Sequence, residues 1–289
     1  MSAIRFLPVL AITACLTAVA GCGAATSGGR PGAAARGAST SGAQQRATAT
    51  ASSSAGTAAC AQAGSYLTAI RTGQHAGFDR VVFEFSGGLP SYQAVRALAV
   101  YTDPKGDEVP LPGQARLRLE FRGASAWCAP AGHATYAVPA ALAPFYGQLL
   151  VVGAAGDFEQ VLSFGIGMAA TATFRVSTLT GPDRVVVDVR HAQLGKFPGI
   201  WDTVSWREYW QRQYDWLTGH QPWRSDPSSV VSAWARSRWH TVPAIQQAGP
   251  NDFRVTEPGG RVDAVTGIRP VSGPGPWVIT GISYGVAPA

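Results

Sequence analysis

Short segments in which hydrophobic and polar residues alternate dominate the chain between residues 60 and 197. The clearest segment spans 78–85 and places every second residue on one face: Asp79, Val81, Phe83 and Phe85. Such alternation predicts a strand with one buried face. Five further strand-like segments follow, at 116–122, 148–153, 159–164, 173–179 and 184–190. Because Gly- and Pro-rich turns separate them, the pattern predicts a mainly-β fold, either a sandwich or a partly closed barrel.

One strand pattern occurs twice in this region. Residues 79–85 and 183–189 share the order Asp-Arg-Val-Val, then an apolar residue, an acid and an apolar residue. If the two strands pair antiparallel, Arg80 lies opposite Asp188, and opposite charges meet across the ladder. In the same register Glu84 lies opposite Arg184. The alternative is that these are two generic strands without a direct pairing.

The pattern changes after residue 197. Ser205 followed by Glu208 is typical of a capping box, and one helical stripe runs to a stop before Gly219, formed by Trp206, Trp210, Gln213, Tyr214 and Leu217. The stripe either packs the helix against a neighbouring domain, which we favour, or stacks on sugar rings. Asp226 and Pro227 then predict the start of a second helix over 228–238. Strand-like segments follow at 244–248, 253–257, 261–268 and 277–284. We expect a Trp-rich helical connector at 198–224 and a small α+β domain at 225–289.

The N-terminal segment has the composition of a signal peptide. Arg5 precedes an apolar run at 6–20, which is too short for a comfortable membrane span. The run ends in Val-Ala-Gly followed by Cys22, and this ending resembles the lipobox of bacterial lipoprotein signal peptides. The resemblance implies cleavage after residue 21 and lipidation of Cys22; the alternative is an ordinary cleaved signal peptide. Residues 22–59 are rich in Ala, Gly, Ser and Thr and predict a flexible tether.

Two cysteines remain once Cys15 is cleaved off and Cys22 is acylated. Cys60 and Cys128 form an even pair in an oxidising compartment, which favours a disulfide over two free thiols. The net charge of +6 has little bearing on the folded region, because four arginines precede residue 60: Arg5, Arg30, Arg36 and Arg46. A basic nucleic-acid-binding domain is therefore not expected.

The β-rich region resembles a known family. Residues 77–85, 123–126, 156–159, 164–167, 174–176 and 184–189 are similar, in this order, to the AMIN-like domain of actinobacterial lipoproteins. The resemblance covers about residues 60–192. It implies a β-sandwich related to the noncatalytic AMIN module, which targets peptidoglycan. The expected architecture is thus an AMIN-like β-sandwich at 60–197, a Trp-rich helix and a small α+β domain.

Several strings in the sequence match catalytic patterns only in part. The string at 281–285 matches a nucleophile elbow, but no acid and histidine follow it. The glycine string at 165–170 lies among strands and not between a strand and a helix, so no dinucleotide cofactor is expected. The five histidines show no metal-binding spacing. Asp157 and Glu159 could flank a glycosidic bond together with Asp79 or Asp183, but we favour solvated edge or turn positions for them. We expect no catalytic residue, no metal and no cofactor.

These observations favour a noncatalytic envelope lipoprotein on the outer face of the cell membrane. Its AMIN-like domain is expected to bind cell-wall polymer, with peptidoglycan as the first choice. The candidate binding residues are Arg80, Glu84, Asp157, Glu159 and Arg175. The alternative is a scaffold whose C-terminal α+β domain recruits an envelope enzyme or transporter. An envelope hydrolase is a third hypothesis.

Overall fold

The computed structural model describes residues 60, 64–199, 201–239, 243–266 and 275–286. The signal peptide, Cys22 and the tether at 22–59 lie outside these residues. The first twelve strands are β1 Ser65–His75, β2 Phe78–Ser86, β3 Ser91–Ala97, β4 Ala115–Arg122, β5 Ala124–Ser125, β6 Trp127–Cys128, β7 His133–Ala134, β8 Ala141–Leu142, β9 Leu149–Phe158, β10 Val161–Met168, β11 Phe174–Leu179 and β12 Asp183–Arg190. The remaining elements are helix α1 Trp206–Leu217, a 3₁₀ helix Pro222–Ser225, helix α2 Pro227–Trp239, and strands β13 Ala244–Gly249, β14 Asp252–Thr256, β15 Val262–Thr266 and β16 Gly281–Val286.

Ten of the first twelve strands form a β-sandwich, which confirms the predicted mainly-β fold, and β6 and β7 form a separate two-stranded sheet. The first sheet has the order β11-β12-β2-β1-β5, and the second has the order β3-β4-β10-β9-β8. Alternate residues of both sheets fill one core between them. At its centre the Phe83 ring lies 5.0 Å from the Phe121 ring and 4.9 Å from the Phe164 ring, measured between centroids. Aromatic packing across the two inner faces therefore holds the sheets together.

The repeated strand pattern does correspond to a direct pairing. Strands β2 and β12 are antiparallel neighbours, with Arg80 opposite Asp188 and Glu84 opposite Arg184. This confirms the predicted register.

All six strands predicted for this region are present, and two long strands were missed. Strand β1 has a register shift between Leu67 and Ala69, which breaks the simple alternation of its side chains. Strand β3 is an edge strand that exposes most of its residues, so it lacks a hydrophobic face. The segment predicted at 159–164 begins its strand only at Val161. Glu159 and Gln160 instead form the hairpin turn that joins β9 to β10.

A buried carboxylate connects three segments of the sandwich. Asp79 has no exposed surface, and its Oδ2 accepts hydrogen bonds from the backbone N–H groups of Gln148 (2.7 Å) and Leu149 (2.8 Å). Its Oδ1 lies 2.9 Å from Nε2 of His191, just after β12. Both carboxylate oxygens therefore have partners, as burial of a charge requires.

Helix α1 packs on the outer side of the second sheet. Tyr209 and Trp210 are buried there, in a cluster that includes Leu111 and Leu150. The side-chain amide oxygen of Gln213 also accepts a hydrogen bond from the buried N–H of Gly113, at 2.8 Å. The packing role predicted for the tryptophan stripe is thus confirmed at Trp210. Tyr209 is equally buried, although the predicted stripe does not include it.

The C-terminal region is a small α+β unit. Strands β13 to β16 form a four-stranded sheet in chain order, and α2 packs Val230, Val231 and Trp234 against it. Each helix begins at its predicted cap. Ser205 Oγ accepts from the Glu208 N–H at 3.3 Å, and the Asp226 carboxylate accepts from the N–H groups of Ser228 and Ser229. In the described part of the chain, neither helix has the length and hydropathy needed to cross a membrane.

Candidate functional site

The outer face of the first sheet carries a concentration of positive charge. Its charged side chains alternate with the core residues of β1, β2, β11 and β12, and we call this surface the arginine face: Arg71, Arg80, Glu84, Arg175, Arg184, Asp188 and Arg190. Five arginines therefore stand against two carboxylates. The face includes three of the five candidate binding residues, namely Arg80, Glu84 and Arg175.

Two of these three candidates are held in ion pairs within the sheet. Arg80 binds Asp188 through two hydrogen bonds, of 2.6 Å from Nε and 2.8 Å from Nη2. This bidentate hydrogen bonding raises the pKa of Arg80 above its ordinary value. Glu84 lies opposite Arg184 but pairs with Arg71, at 2.9 Å. Arg80 and Glu84 therefore stabilise the sheet through ion pairs between neighbouring strands.

Arg175 and Arg190 have their charge available. Both are exposed, and within the described residues neither forms an ion pair. Arg175 lies directly opposite Asp188, whose two oxygens already accept from Arg80. Arg190 lies opposite Phe78, and the Phe78 ring stacks on the His75 ring with centroids 4.6 Å apart. The face therefore offers two exposed guanidinium groups without an ion pair, and the one on Arg190 lies beside an aromatic pair.

The other two candidates, Asp157 and Glu159, line a pocket at one end of the sandwich. The pocket has a volume of about 320 Å³. We call it the Trp127 pocket and define it by six of the residues that line it: Tyr66, Ser125, Trp127, Asp157, Glu159 and Gln160. Glu159 lies in a turn and not on a strand, so strand alternation does not relate it to Asp157, yet both line this pocket.

Trp127 was not among the residues singled out from the sequence. It is 52% exposed and follows a tight segment ordered by Asp157. The Asp157 Oδ2 atom accepts from Ser125 Oγ at 3.0 Å and from the Ala126 N–H at 2.8 Å. The next residue, Cys128, is buried and bonded to Cys60, so the predicted disulfide is present. The only sequence signal was a tryptophan adjacent to a paired cysteine.

The described residues contain no group of three or more His, Cys, Asp and Glu side chains that could hold a metal ion. Residues 65–191 match the family model of the AMIN-like domain. The chain contains an AMIN-like domain. The match begins with β1 and ends at His191, the residue that contacts the buried Asp79.

No curated protein and no solved structure matches the chain. The AMIN-like domain indicates a cell-wall-associated binding role and an extracytoplasmic, envelope location. It carries both the arginine face and the Trp127 pocket, so the five candidate residues belong to two separate surfaces of one domain.

Proposed function

We propose that this protein is a noncatalytic envelope lipoprotein whose AMIN-like domain binds cell-wall polymer, and that the polymer is peptidoglycan. Cys22 anchors the chain to the outer face of the membrane through its lipid. The folded part then reaches the polymer without leaving the membrane.

The observation that carries this proposal is the pair of free arginines on the arginine face. Peptidoglycan stem peptides carry carboxylates, and a guanidinium group can bind a carboxylate with two parallel hydrogen bonds. Arg175 and Arg190 are exposed and lack a carboxylate partner in the described part of the chain. Phe78 and His75 add an aromatic surface beside Arg190. The Arg80–Asp188 pair links β2 to β12, the two strands that carry Phe78 and Arg190.

Replacing the two free arginines tests the proposal. In the variant Arg175→Gln/Arg190→Gln, we expect binding to washed peptidoglycan sacculi to weaken by about tenfold at low salt, because each lost exposed ionic contact contributes up to about 1 kcal/mol. The full-length lipidated protein, solubilised in detergent, is co-sedimented with sacculi at low and moderate ionic strength. Wild-type binding should also weaken with salt, since exposed charges are screened beyond about 10 Å at 0.1 M.

A matched control separates local contacts from net charge. The variant Lys196→Gln/Arg236→Gln removes the same formal charge from two exposed positions outside the arginine face. Its binding should stay close to that of the wild type. Equal binding by all three proteins would show that Arg175 and Arg190 do not contribute to wall binding.

A protein-interaction scaffold is the second candidate function. Strand β13 is an edge of the C-terminal sheet, and most of its residues are exposed. Such an edge can pair with an added strand from a partner, which suits recruitment of an envelope enzyme or transporter. A wild-type protein that does not sediment with sacculi at either salt concentration would favour this function over wall binding.

A further inference from the structure

The Trp127 pocket offers an aromatic surface held in a fixed position. Half of the Trp127 side chain is exposed, although its backbone is strongly constrained. Trp127 pairs with Ala134 across β6 and β7, and the backbone N–H of Trp127 donates to Ser125 Oγ at 2.9 Å. The disulfide at Cys128 constrains the next position. A ligand that stacks on this ring therefore meets a preorganised surface, which lowers the entropic cost of binding.

Polar groups of the pocket remain available to a ligand. Asp157 uses only Oδ2 in its contacts to Ser125 and Ala126, and Oδ1 makes no hydrogen bond within the described residues. The Glu159 and Gln160 side chains are exposed, and in that same part of the chain neither makes a side-chain hydrogen bond. Two carboxylates can accept hydrogen bonds from hydroxyl groups, and the Gln160 amide can also donate.

The turn that presents Glu159 and Gln160 is strained. Both residues have positive φ, 49° and 60°, in a two-residue hairpin whose geometry favours Asn-Gly. The Gln160 carbonyl accepts from the Ala124 N–H at 3.0 Å, which holds the turn at the edge of the pocket. Non-glycine residues in the left-handed region are energetically unfavourable and are concentrated at functional sites. Two long polar side chains at these positions therefore indicate a role for the side chains themselves.

The charge of the pocket restricts the class of ligand. The residues that line it include two carboxylates and no Lys, Arg or His. Such a lining disfavours carboxylate and phosphate ligands, which the arginine face would accept. A sugar ring fits better, because its C–H face can lie on the electron-rich face of an indole while its hydroxyl groups donate to carboxylates. A volume of about 320 Å³ is at the lower end of small-molecule sites.

We propose that the Trp127 pocket is a saccharide-binding site that takes an uncharged, N-acetylated sugar ring stacked on Trp127. The inference rests on the proposed wall-binding function, because the glycan strand of the wall would supply that ring. The domain then contacts the wall in two ways: the pocket binds glycan, and the arginine face binds acidic groups.

Binding of a β-1,4-linked N-acetylglucosamine tetramer tests the pocket directly. Titration calorimetry on the full-length protein in detergent should show binding to the wild type. We expect Trp127→Ala to weaken it by about tenfold or more, as is usual for a tryptophan at the centre of an interface. Trp127→Phe should give an intermediate affinity. Trp223→Ala, which removes another exposed tryptophan (39% exposed) outside the pocket, is the control and should bind like the wild type.

Glu159→Ala, at the exposed turn, provides a second variant should Trp127→Ala fail to fold, and it should also weaken binding. The inference is overturned if the wild type does not bind the tetramer, if the pocket variants bind it as the wild type does, or if only the cationic tetramer of glucosamine binds.

Sacculi sedimentation of the same proteins separates the two proposals. Wild-type sedimentation without tetramer binding would remove the pocket and leave wall binding standing, whereas wild-type protein that fails to sediment contradicts wall binding itself.

Discussion

Asp79 and Asp183 occupy equivalent places in the repeated strand pattern, yet their surroundings differ completely. Asp79 has no exposed surface and accepts from two backbone N–H groups and His191. Asp183 is partly exposed at the start of β12, and its side chain makes no hydrogen bond in the described part of the chain. A single position in a motif can therefore be structural in one copy and replaceable in the other.

This difference can be measured as a change in the free energy of unfolding. We expect Asp79→Ala to lower it by about 3–5 kcal/mol, because the variant leaves buried N–H groups without an acceptor. Asp183→Ala should lower it by about 0.5 kcal/mol or less. Urea denaturation followed by tryptophan fluorescence gives both values. Equal losses in the two variants would contradict the structural role assigned to Asp79.

At the scale of elements, helix α2 depends on its N-cap. The Asp226 carboxylate accepts from the backbone N–H and the hydroxyl of both Ser228 and Ser229. The serine hydroxyl groups stabilise the charged form most and lower the pKa of Asp226 from its ordinary value of 3.8. Because the folded-state pKa lies below the unfolded-state pKa, the charged cap stabilises the protein above about pH 4. That contribution is lost as the pH falls through the folded-state pKa.

The cap variant Asp226→Ala is expected to lower the free energy of unfolding by about 1 kcal/mol at pH 7. The difference from the wild type should shrink as the pH falls below 4. Asp226→Asn keeps a neutral acceptor, so it should retain most of the stability at pH 7 and show no such pH dependence. Thermal unfolding between pH 3 and pH 7 checks these values. A difference between Asp226→Ala and the wild type that is independent of pH would exclude the charged cap.

Three connections act on the whole molecule. The disulfide Cys60–Cys128 joins two positions 68 residues apart. Gln213 connects α1 to the loop before β4. A buried guanidinium lies in the 3₁₀ helix that follows α1 and precedes α2 in the chain. That group, Arg224, is 1% exposed and pairs with Asp202, and its backbone carbonyl accepts from the Trp277 N–H at 3.0 Å. Burial lowers the pKa of Arg224 against the opposing effect of Asp202. Hydrogen bonds and an ion pair of Gln213 and Arg224 therefore join segments that lie far apart in the chain.

Removing the disulfide should have the largest effect at this scale. We expect Cys60→Ser/Cys128→Ser to lower the free energy of unfolding by about 4 kcal/mol, because the bond closes a long loop in the unfolded chain. Chemical denaturation measures this loss. The wild type in reducing buffer should show the same loss as the double variant, while a loss below about 1 kcal/mol would mean that the loop contributes little. The variant should also weaken tetramer binding, since Trp127 adjoins Cys128.

Most of the predictions that the structure confirms depend on neighbours in the chain, and two link distant positions: the register of β2 with β12 and the Cys60–Cys128 disulfide. Alternation located β2, β4 and β12, cap residues located the starts of both helices, and the repeated pattern identified one register. Strand β1 was missed because its register shift disrupts the alternation on which such predictions depend. Tyr209 was missed because it lies beside the predicted stripe, and only the packing of α1 on the second sheet shows that it is buried.

Four features could be predicted without a structure: the strand pattern, the helix caps, the pairing of Arg80 with Asp188 and the pairing of Cys60 with Cys128. Each depends on local periodicity, on complementary charges or on the count of cysteines. Which of the candidate residues lie close together follows from the fold alone. Arg175 lies on one sheet face with Arg190, while Glu159 lies in a pocket with Trp127. Such sets form where strands far apart in the chain become neighbours, and the periodicity of a single strand holds no information about its neighbours.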